Sequence, residues 1–256
     1  MAVAEKVAII TGSATGIGAE VATMLARNGV HVVVNYTKSG AEAQAVLARC
    51  AAHGVDTLLQ QADVSDDGAC RRMVDEAMNK WGRVDYLVNN AGATKFVDHA
   101  DLEGLSAADF QRIFGVNVVG TFQMCRAVAP HMKRAGRGAI VNISAAASVS
   151  GAGSSMAYAA SKAALNTLTL SLARALGPEI RVNAVCPGMV KSRWMEQGLG
   201  SEGYAAMVRK TEAAAPLHSI ATPEDIAEPA VWLLENAKQV TGEILFVDAG
   251  FRLAHP

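Results

Sequence analysis

Two groups of residues in this sequence have types and spacing suited to chemistry. The first is Thr11-Gly12-Ser13-Ala14-Thr15-Gly16-Ile17-Gly18, set between the apolar run Val7–Ile10 and the helix-forming stretch Ala19–Asn28. Glycines at 12, 16 and 18 let the backbone turn tightly and approach a ligand with no Cβ in the way. A helix opening there presents unpaired N–H groups and a positive dipole end, both suited to a pyrophosphate. Such a turn can also be plain chain reversal; its place after the first strand and before the first helix favours phosphate binding. The second group is Tyr158-Ala-Ala-Ser161-Lys162, whose i, i+4 spacing stacks phenol and amine on one helical face. A phenol titrates near 10, and an adjacent ammonium is expected to lower that value. The pair then serves as general acid toward a carbonyl oxygen or general base toward an alcohol. By itself it means little, since Tyr and Lys four apart occur by chance on many helices.

The end of the second strand bears on which dinucleotide is bound. A carboxylate there would hold the ribose 2′-hydroxyl of NAD and repel the 2′-phosphate of NADP. The run after His31–Val34 reads Asn35-Tyr36-Thr37-Lys38-Ser39, with no acid. Asn35, Thr37 and Lys38 offer charge and hydrogen bonds to a phosphate. NADP is therefore expected, with NAD still allowed.

Positioning these groups requires a scaffold, and the chain alternates short β-branched runs with longer Ala/Leu-rich stretches. Strands are expected at Val7–Ile10, His31–Val34, Thr57–Gln60, Tyr86–Asn89, Ala139–Ile143, Arg181–Val185 and Ile244–Val247. Helices are expected near 17–28, 40–52, 67–81, 107–133, 156–176 and 223–236. Sustained β–α alternation implies a doubly wound, Rossmann-type α/β fold, a parallel sheet of about seven strands with helices on both faces. No linker divides the 256 residues, so a single catalytic domain over 1–256 is expected. The weakest periodicity falls at 188–220, where Gly188, Gly198, Gly200 and Gly203 interrupt Trp194, Met195, Tyr204 and Met207. That mixture suits a mobile flap.

Composition narrows the class. Hydrophobic residues make up 51% and charged residues 18%, which describes a packed globular chain rather than a disordered one. Lys+Arg of 23 against Asp+Glu of 24 leaves a net charge of −1, without the basic stripe that nucleic acid requires. No apolar stretch reaches the roughly 18–20 residues of a spanning helix. The start, Met1–Lys6, carries no secretory pattern, and Cys50, Cys70, Cys125 and Cys186 are scattered without CxxC. Inert thiols in a reducing cytoplasm are the expectation. His31, His53, His99, His131, His218 and His255 show no ligand spacing, so no metal site and no metal-dependent hydrolase is expected.

Taken together the chain resembles the short-chain dehydrogenase/reductase family, in its common form of about 250 residues. Besides Thr11–Gly18 and Tyr158-x-x-x-Lys162, the resemblance rests on Asp63-Val64, Asn89-Asn90-Ala91-Gly92, Asn117, Pro187-Gly188, Thr241-Gly242 and Asp248-Ala249-Gly250. It implies hydride transfer between a nicotinamide cofactor and a carbonyl or secondary alcohol, closest in flavour to 3-oxoacyl-thioester reductases and glucose-dehydrogenase-like members. Cofactor contacts are implied for Gly12, Ser13, Thr15, Gly16, Ile17, Gly18, Asn35, Tyr36, Thr37, Lys38, Asp63, Val64, Asn89, Ala91, Gly92, Pro187, Gly188, Val190 and Ser192. By the same resemblance, Asp63 and Val64 flank the adenine, and Asn89 and Gly92 line the cleft and steady the sheet. Asn117 holds a water chain leading to Lys162, which binds the nicotinamide ribose and poises Tyr158. The resemblance further implies a homotetramer acting on a small-molecule substrate, with the long fourth and fifth helices and the C-terminal strand at interfaces. Phe96, Trp194, Met195, Tyr204 and Met207 could wall the substrate or simply pack, and Lys95, Lys191 and Arg193 lie near the expected mouth.

One position departs from the pattern. The family serine that bonds the substrate oxygen lies thirteen positions before the tyrosine, and Ala145 stands there. Loss of such a donor costs about 10²–10³ in rate. Ser144 or Ser148 could replace it, or the chain is an impaired reductase, an altered variant, or a dinucleotide-binding protein without turnover.

Overall fold

The computed structural model describes residues 6–254. The leaderless start read over Met1–Glu5, and His255, lie outside the described residues. Seven strands, β1 (Val7–Ile10), β2 (His31–Tyr36), β3 (Thr57–Gln61), β4 (Tyr86–Asn89), β5 (Gly138–Ile143), β6 (Ile180–Pro187) and β7 (Ile244–Val247), form one parallel sheet in the order β3-β2-β1-β4-β5-β6-β7. The expected doubly wound α/β architecture is what the chain adopts. β1 and β4 are buried at every residue, whereas the edge strands β3 and β7 are only half-buried. Short apolar runs become strands here because side chains on both faces must enter a core.

Helices α1 (Gly16–Arg27), α2 (Gly40–Ala51) and α9 (Pro223–Glu235) cover one face of the sheet, with Val21, Leu25, Val46, Ile226 and Leu233 in the first core. Helices α3 (Asp67–Trp81), α5 (Thr121–Arg134) and α7 (Met156–Leu176) cover the other, with Met73, Val74, Met124, Val128, Met132 and Leu172 in the second. Their starts are encoded locally. Asp66 accepts from Gly68 N and Ala69 N at α3, Ser155 accepts from Tyr158 N at α7, and Thr222 with Asp225 forms a capping box at α9.

Two expected elements differ in detail. The helix expected over 107–133 is α4 (Ala107–Phe114) and α5 separated by a π-helical segment, Gly115–Gly120. This wider turn carries the buried Asn117, and such segments often occur at functional sites. The flap expected over 188–220 is not irregular: it contains α8 (Arg193–Ala214), broken at Gly200, whose φ is 70° and ψ 159°. A short helical turn, α6 (Ala147–Ser150), follows β5.

Strand β1 sits between β2 and β4, so the connections from the two sheet halves depart in opposite directions from the carboxyl ends of β1 and β4. In doubly wound sheets that switch point is where ligands bind. The turn 11–18, the loop 90–98 and the segments after β5 and β6 all gather at this edge.

Candidate active site

The glycine turn is held by side chains from neighbouring loops. Gly12 has φ 61°, and a Cβ there would lie 2.8 Å from Ala91 Cα, so both conformation and space require glycine. Thr11 Oγ1 accepts hydrogen bonds from Asn90 N (3.0 Å) and Ala91 N (3.1 Å). Asn90 Nδ2 donates to the carbonyls of Thr11 (3.0 Å) and Gly12 (2.8 Å), and a Cβ on Gly18 would collide with that same nitrogen. The loops after β1 and β4 are thus one braced unit.

Asn35 and Ser13 belong to that brace, which corrects the phosphate-binding role expected of the Asn35 side chain. Its Oδ1 accepts from Gly12 N (2.9 Å), and its Nδ2 donates to the carbonyls of Gln60 (3.2 Å) and Ala62 (3.1 Å). Asn35 is 1% exposed, so this amide has no group left for a ligand. Ser13 Oγ donates to Ile10 O (2.7 Å) and accepts from Asn35 N (3.0 Å). Thr37 and Lys38, by contrast, are exposed at the rim, next to the half-buried Tyr36.

The outward side of the turn is open. Thr15 is exposed, and space is free around a Cβ placed on Gly16. The N-terminus of α1 has no side-chain cap and no acidic residue in its first turn, whereas α3, α4, α7, α8 and α9 are each capped by their own Asp, Ser or Thr. Ile17 is half-buried beside it.

Along the same edge, Asp63 is exposed and folds a turn, its Oδ1 accepting from Ser65 N (2.9 Å) and Ser65 Oγ (2.7 Å). Val64 is buried, and its carbonyl accepts from Gln123 Nε2 (2.6 Å). Asn89 lies inside the sheet, donating to Asn142 Oδ1 (2.9 Å), while Asn142 donates to Thr169 Oγ1 (2.9 Å). Asn89 thus links β4 to β5 inside the sheet rather than facing solvent. Ala91 and Gly92 are at the surface of the cleft loop. After β6, buried Pro187 leads to Gly188, where a Cβ would lie 2.8 Å from Asp248 Cβ. Val190 bridges to Ala221, and Ser192 Oγ caps α8 by accepting from Met195 N (3.4 Å).

Tyr158, Lys162 and Asn117 come together where α7 passes the ends of β4 and β5. Lys162 is buried, its Nζ donating to Ile143 O (2.7 Å) and lying 5.7 Å from the centre of the Tyr158 ring. The Tyr158 hydroxyl makes no hydrogen bond among the described residues, and the residue is half-buried. Asn117 clamps the β4 loop to α7: Oδ1 accepts from Ala93 N (2.7 Å), and Nδ2 donates to Ala93 O (3.0 Å) and Ser161 Oγ (2.9 Å). Its side chain is consumed by this clamp, so the water-holding role expected of Asn117 falls outside the amide.

The electrostatics correct one expectation. Burial pushes the Tyr158 phenol up from its ordinary 10 rather than leaving it lowered by its neighbour. Burial also lowers Lys162 from 10.5 to about 8. The desolvation of both groups outweighs the attraction between ammonium and phenolate.

Ala145 is buried, and of the two nearby hydroxyls Ser144 spends its proton while Ser148 only accepts. Ser144 Oγ donates to Lys162 O (3.2 Å), and Ser148 Oγ accepts from Asn166 Nδ2 (2.8 Å). Over the site stand Trp194, 6.0 Å from the Tyr158 ring centre, and Phe96, 5.8 Å from the Trp194 ring in an edge-to-face pair. All four cysteines are free and buried, and no group of metal-ligating side chains occurs among the described residues.

Residues that sequence reasoning left without a structural role include Thr11, Asn90, Asn142 and Thr169. The polar run Asn89-Asn90 at the end of an apolar strand was the available signal, because buried amides need partners.

Comparison with known proteins agrees with this geometry. Residues 12–252 match the family model described as enoyl-(acyl carrier protein) reductase. The chain is 41% identical over 247 residues to ketoacyl reductase 2 of the granaticin polyketide synthase from Streptomyces violaceoruber, covering 96% of each. A short-chain dehydrogenase/reductase from Burkholderia xenovorans superposes with a TM-score of 0.91 at 38% identity, over 98% of this chain and 99% of that one. An NAD+-bound xylitol dehydrogenase gives 0.87 at 28% identity, over 94% and 97%. The chain belongs to the short-chain dehydrogenase/reductase family of NAD(P)-dependent oxidoreductases.

Proposed function

We propose that residues 1–256 form one catalytic domain that moves a hydride between NADP(H) and a ketone or secondary alcohol, with Tyr158 as the proton-exchanging group. The observation that carries the reading is the Tyr158 hydroxyl, free of protein partners beside a buried lysine at the switch point of the sheet. The residues present fit a dinucleotide: the uncapped, acid-free start of α1 offers backbone donors to a pyrophosphate. Exposed Thr37 and Lys38, with no carboxylate ending β2, favour NADP over NAD.

The nicotinamide supplies the hydride when bound. Tyr158 gives its hydroxyl proton to the carbonyl oxygen as general acid. Lys162 binds the ribose hydroxyls and, through Ile143 O, keeps its amine beside the phenol ring. Asn117 positions α7 against the β4 loop, and Val190 and Ser192 would hold the nicotinamide amide. A ketoacyl reductase among the relatives supports an acyl-derived ketone as one substrate type. Tyr158→Phe tests the reading: it should keep NADPH binding within about twofold and abolish ketone reduction, and retained turnover overturns it.

A second reading, a dinucleotide binder without turnover, has Ala145 and the spent Ser144 hydroxyl in its favour. NADPH binding with no oxidation across many ketones, even after serine is restored at 145, would establish it. We place the protein in a reducing cytoplasm, consistent with four free thiols; no helix among the described residues is long and apolar enough to cross a membrane. A homotetramer is supported by Phe110, Val119 and Phe122, which expose large apolar surface along α4 to α5.

A further inference from the structure

Resting on the reading of Tyr158 as the proton-exchanging group, we propose that Phe96 and Trp194 wall a slot for flat aromatic ketones, with Trp194 a specificity-determining residue. Three rings meet where the carbonyl must arrive. Trp194 lies tilted against Tyr158 at 6.0 Å and edge-to-face with Phe96 at 5.8 Å, yet remains 44% exposed. A ring that packs on two others while keeping so much surface open offers an unused aromatic face above the reacting hydroxyl.

The surrounding residues fix these two walls. Trp194 sits in the first turn of α8, which Ser192 caps, and the adjacent Arg193 pairs with Glu42 of α2 at 3.4 Å. Phe96 lies against α8 at Gly198, where any Cβ would fall within the Phe96 ring, so glycine at 198 is what admits the ring. The loop carrying Phe96 is tied to the segment before α7 by Val97 N donating to Ser154 O (2.9 Å) and by the Thr94 and Ser154 hydroxyls 2.6 Å apart.

The charges at the mouth fit a neutral substrate better than an anionic one. Lys95 is paired with Asp109 at 2.9 Å, Arg193 with Glu42, and Arg112 donates to Thr94 O (3.0 Å). Lys191 is exposed beyond Val190, outside the ring cluster. A linear 3-oxo ester would leave the indole face largely uncovered, whereas a fused aryl ketone can stack on it while its carbonyl reaches Tyr158.

The test compares 2-acetylnaphthalene with ethyl 3-oxobutanoate in wild type, Trp194→Ala, Trp194→Phe and Gly198→Ala. Steady-state kinetics with NADPH are paired with calorimetric binding of each ketone to the protein loaded with NADP+, which requires no turnover. One lost aromatic pair corresponds to roughly 2- to 12-fold in affinity. Trp194→Ala should raise both KM and Kd for the naphthyl ketone about tenfold, and change those for the linear ester by less than about twofold. Trp194→Phe should recover most of the loss, and Gly198→Ala, by displacing Phe96, should weaken the naphthyl ketone in the same sense. Equal effects on both ketones, or tighter binding of the aryl ketone in Trp194→Ala, overturn the slot. Reduction without discrimination defeats the slot and leaves the reductase reading standing. Discriminating binding that Trp194→Ala abolishes, with neither ketone reduced, keeps the slot and defeats the reductase reading.

Discussion

Replacing Ala145 by serine is the most informative single change, because alanine itself brings no side-chain donor to this position. Ser144 is 3% exposed and its hydroxyl is spent on Lys162 O at 3.2 Å; Ser148 is held by Asn166 at 2.8 Å. Ser144 has spent its proton on that carbonyl, whereas Ser148 only accepts and keeps its own proton. A preorganised donor aimed at a developing oxyanion is worth about 10²–10³ in rate, roughly 3–4 kcal/mol. The added hydroxyl enters a site that is only 7% exposed. If that hydroxyl goes unpaired without substrate, it costs about 1–3 kcal/mol from a total stability of roughly 5–15 kcal/mol. The expected signature is therefore double: kcat for ketone reduction rises about 100-fold while the ligand-free melting temperature falls. The assay is NADPH consumption at saturating ketone, with thermal unfolding measured on the same preparation. A folded Ala145→Ser protein whose kcat stays within twofold of wild type refutes the reasoning, since either another donor acts or the step was never limited there.

Lys38→Glu should weaken NADPH about 10- to 100-fold, as expected for one charge-assisted hydrogen bond replaced by repulsion, and leave NADH nearly unchanged; equal losses in fluorescence titrations would remove the NADP assignment. Lys162 is lowered from 10.5 to about 8, so between those values the unfolded chain binds more protons than the folded one. Its burial cost is complete below pH 8 and fades as pH rises toward 10.5, which makes wild-type stability rise through that window. Lys162→Met should therefore gain relative stability at pH 7 and lose about 2 kcal/mol of that advantage by pH 9.5 in urea unfolding; a pH-independent difference would refute the burial argument. Asn117→Ala breaks three side-chain hydrogen bonds at a 1% exposed site and should cost about 2–4 kcal/mol, read as a lowered urea midpoint. The buried thiols, with Cys70 pushed up to about 11 and Cys125 to about 12, should not react with a disulfide reagent until the protein is unfolded, and then all four should titrate.

The sequence was most legible where burial is two-sided or a cap is local. Val7–Ile10 and Tyr86–Asn89 are strands at those residues, and the helix 156–176 runs from the Ser155 cap to Gly177. α8 was illegible for a physical reason: Thr211 is its only buried residue, so no apolar stripe had to form. Asn35 was misread because residue type reports hydrogen-bonding capacity and not direction. A polar loop and an internal strut share the same amide, and only the fold shows that its groups are spent on Gly12, Gln60 and Ala62. The phenol was misjudged because spacing reveals a neighbouring ammonium but not how much water each group loses.

The site divides into a rigid part and a loosely held part, and the division follows from how each is stabilised. Thr11, Asn35, Asn90 and Asn117 join four segments through short side chains that have few rotamers to lose, so the cleft edge is organised before any ligand arrives. Each of these struts is shared between two loops, and removing one leaves a buried partner unsatisfied. α8 is braced less: it is broken at Gly200, buries a single threonine, and meets the rest of the chain through ring contacts, a surface ion pair and the Thr211–Met189 hydrogen bond. Exposed pairs of that kind contribute about 0–1 kcal/mol, so α8 is held mainly by its ring contacts and by Thr211. On the proposed roles of Tyr158 and Trp194, proton exchange would belong to the braced framework and substrate choice to α8. Changes in the struts should depress stability, cofactor binding and turnover together, whereas changes in α8 should act on KM and leave the melting temperature nearly fixed.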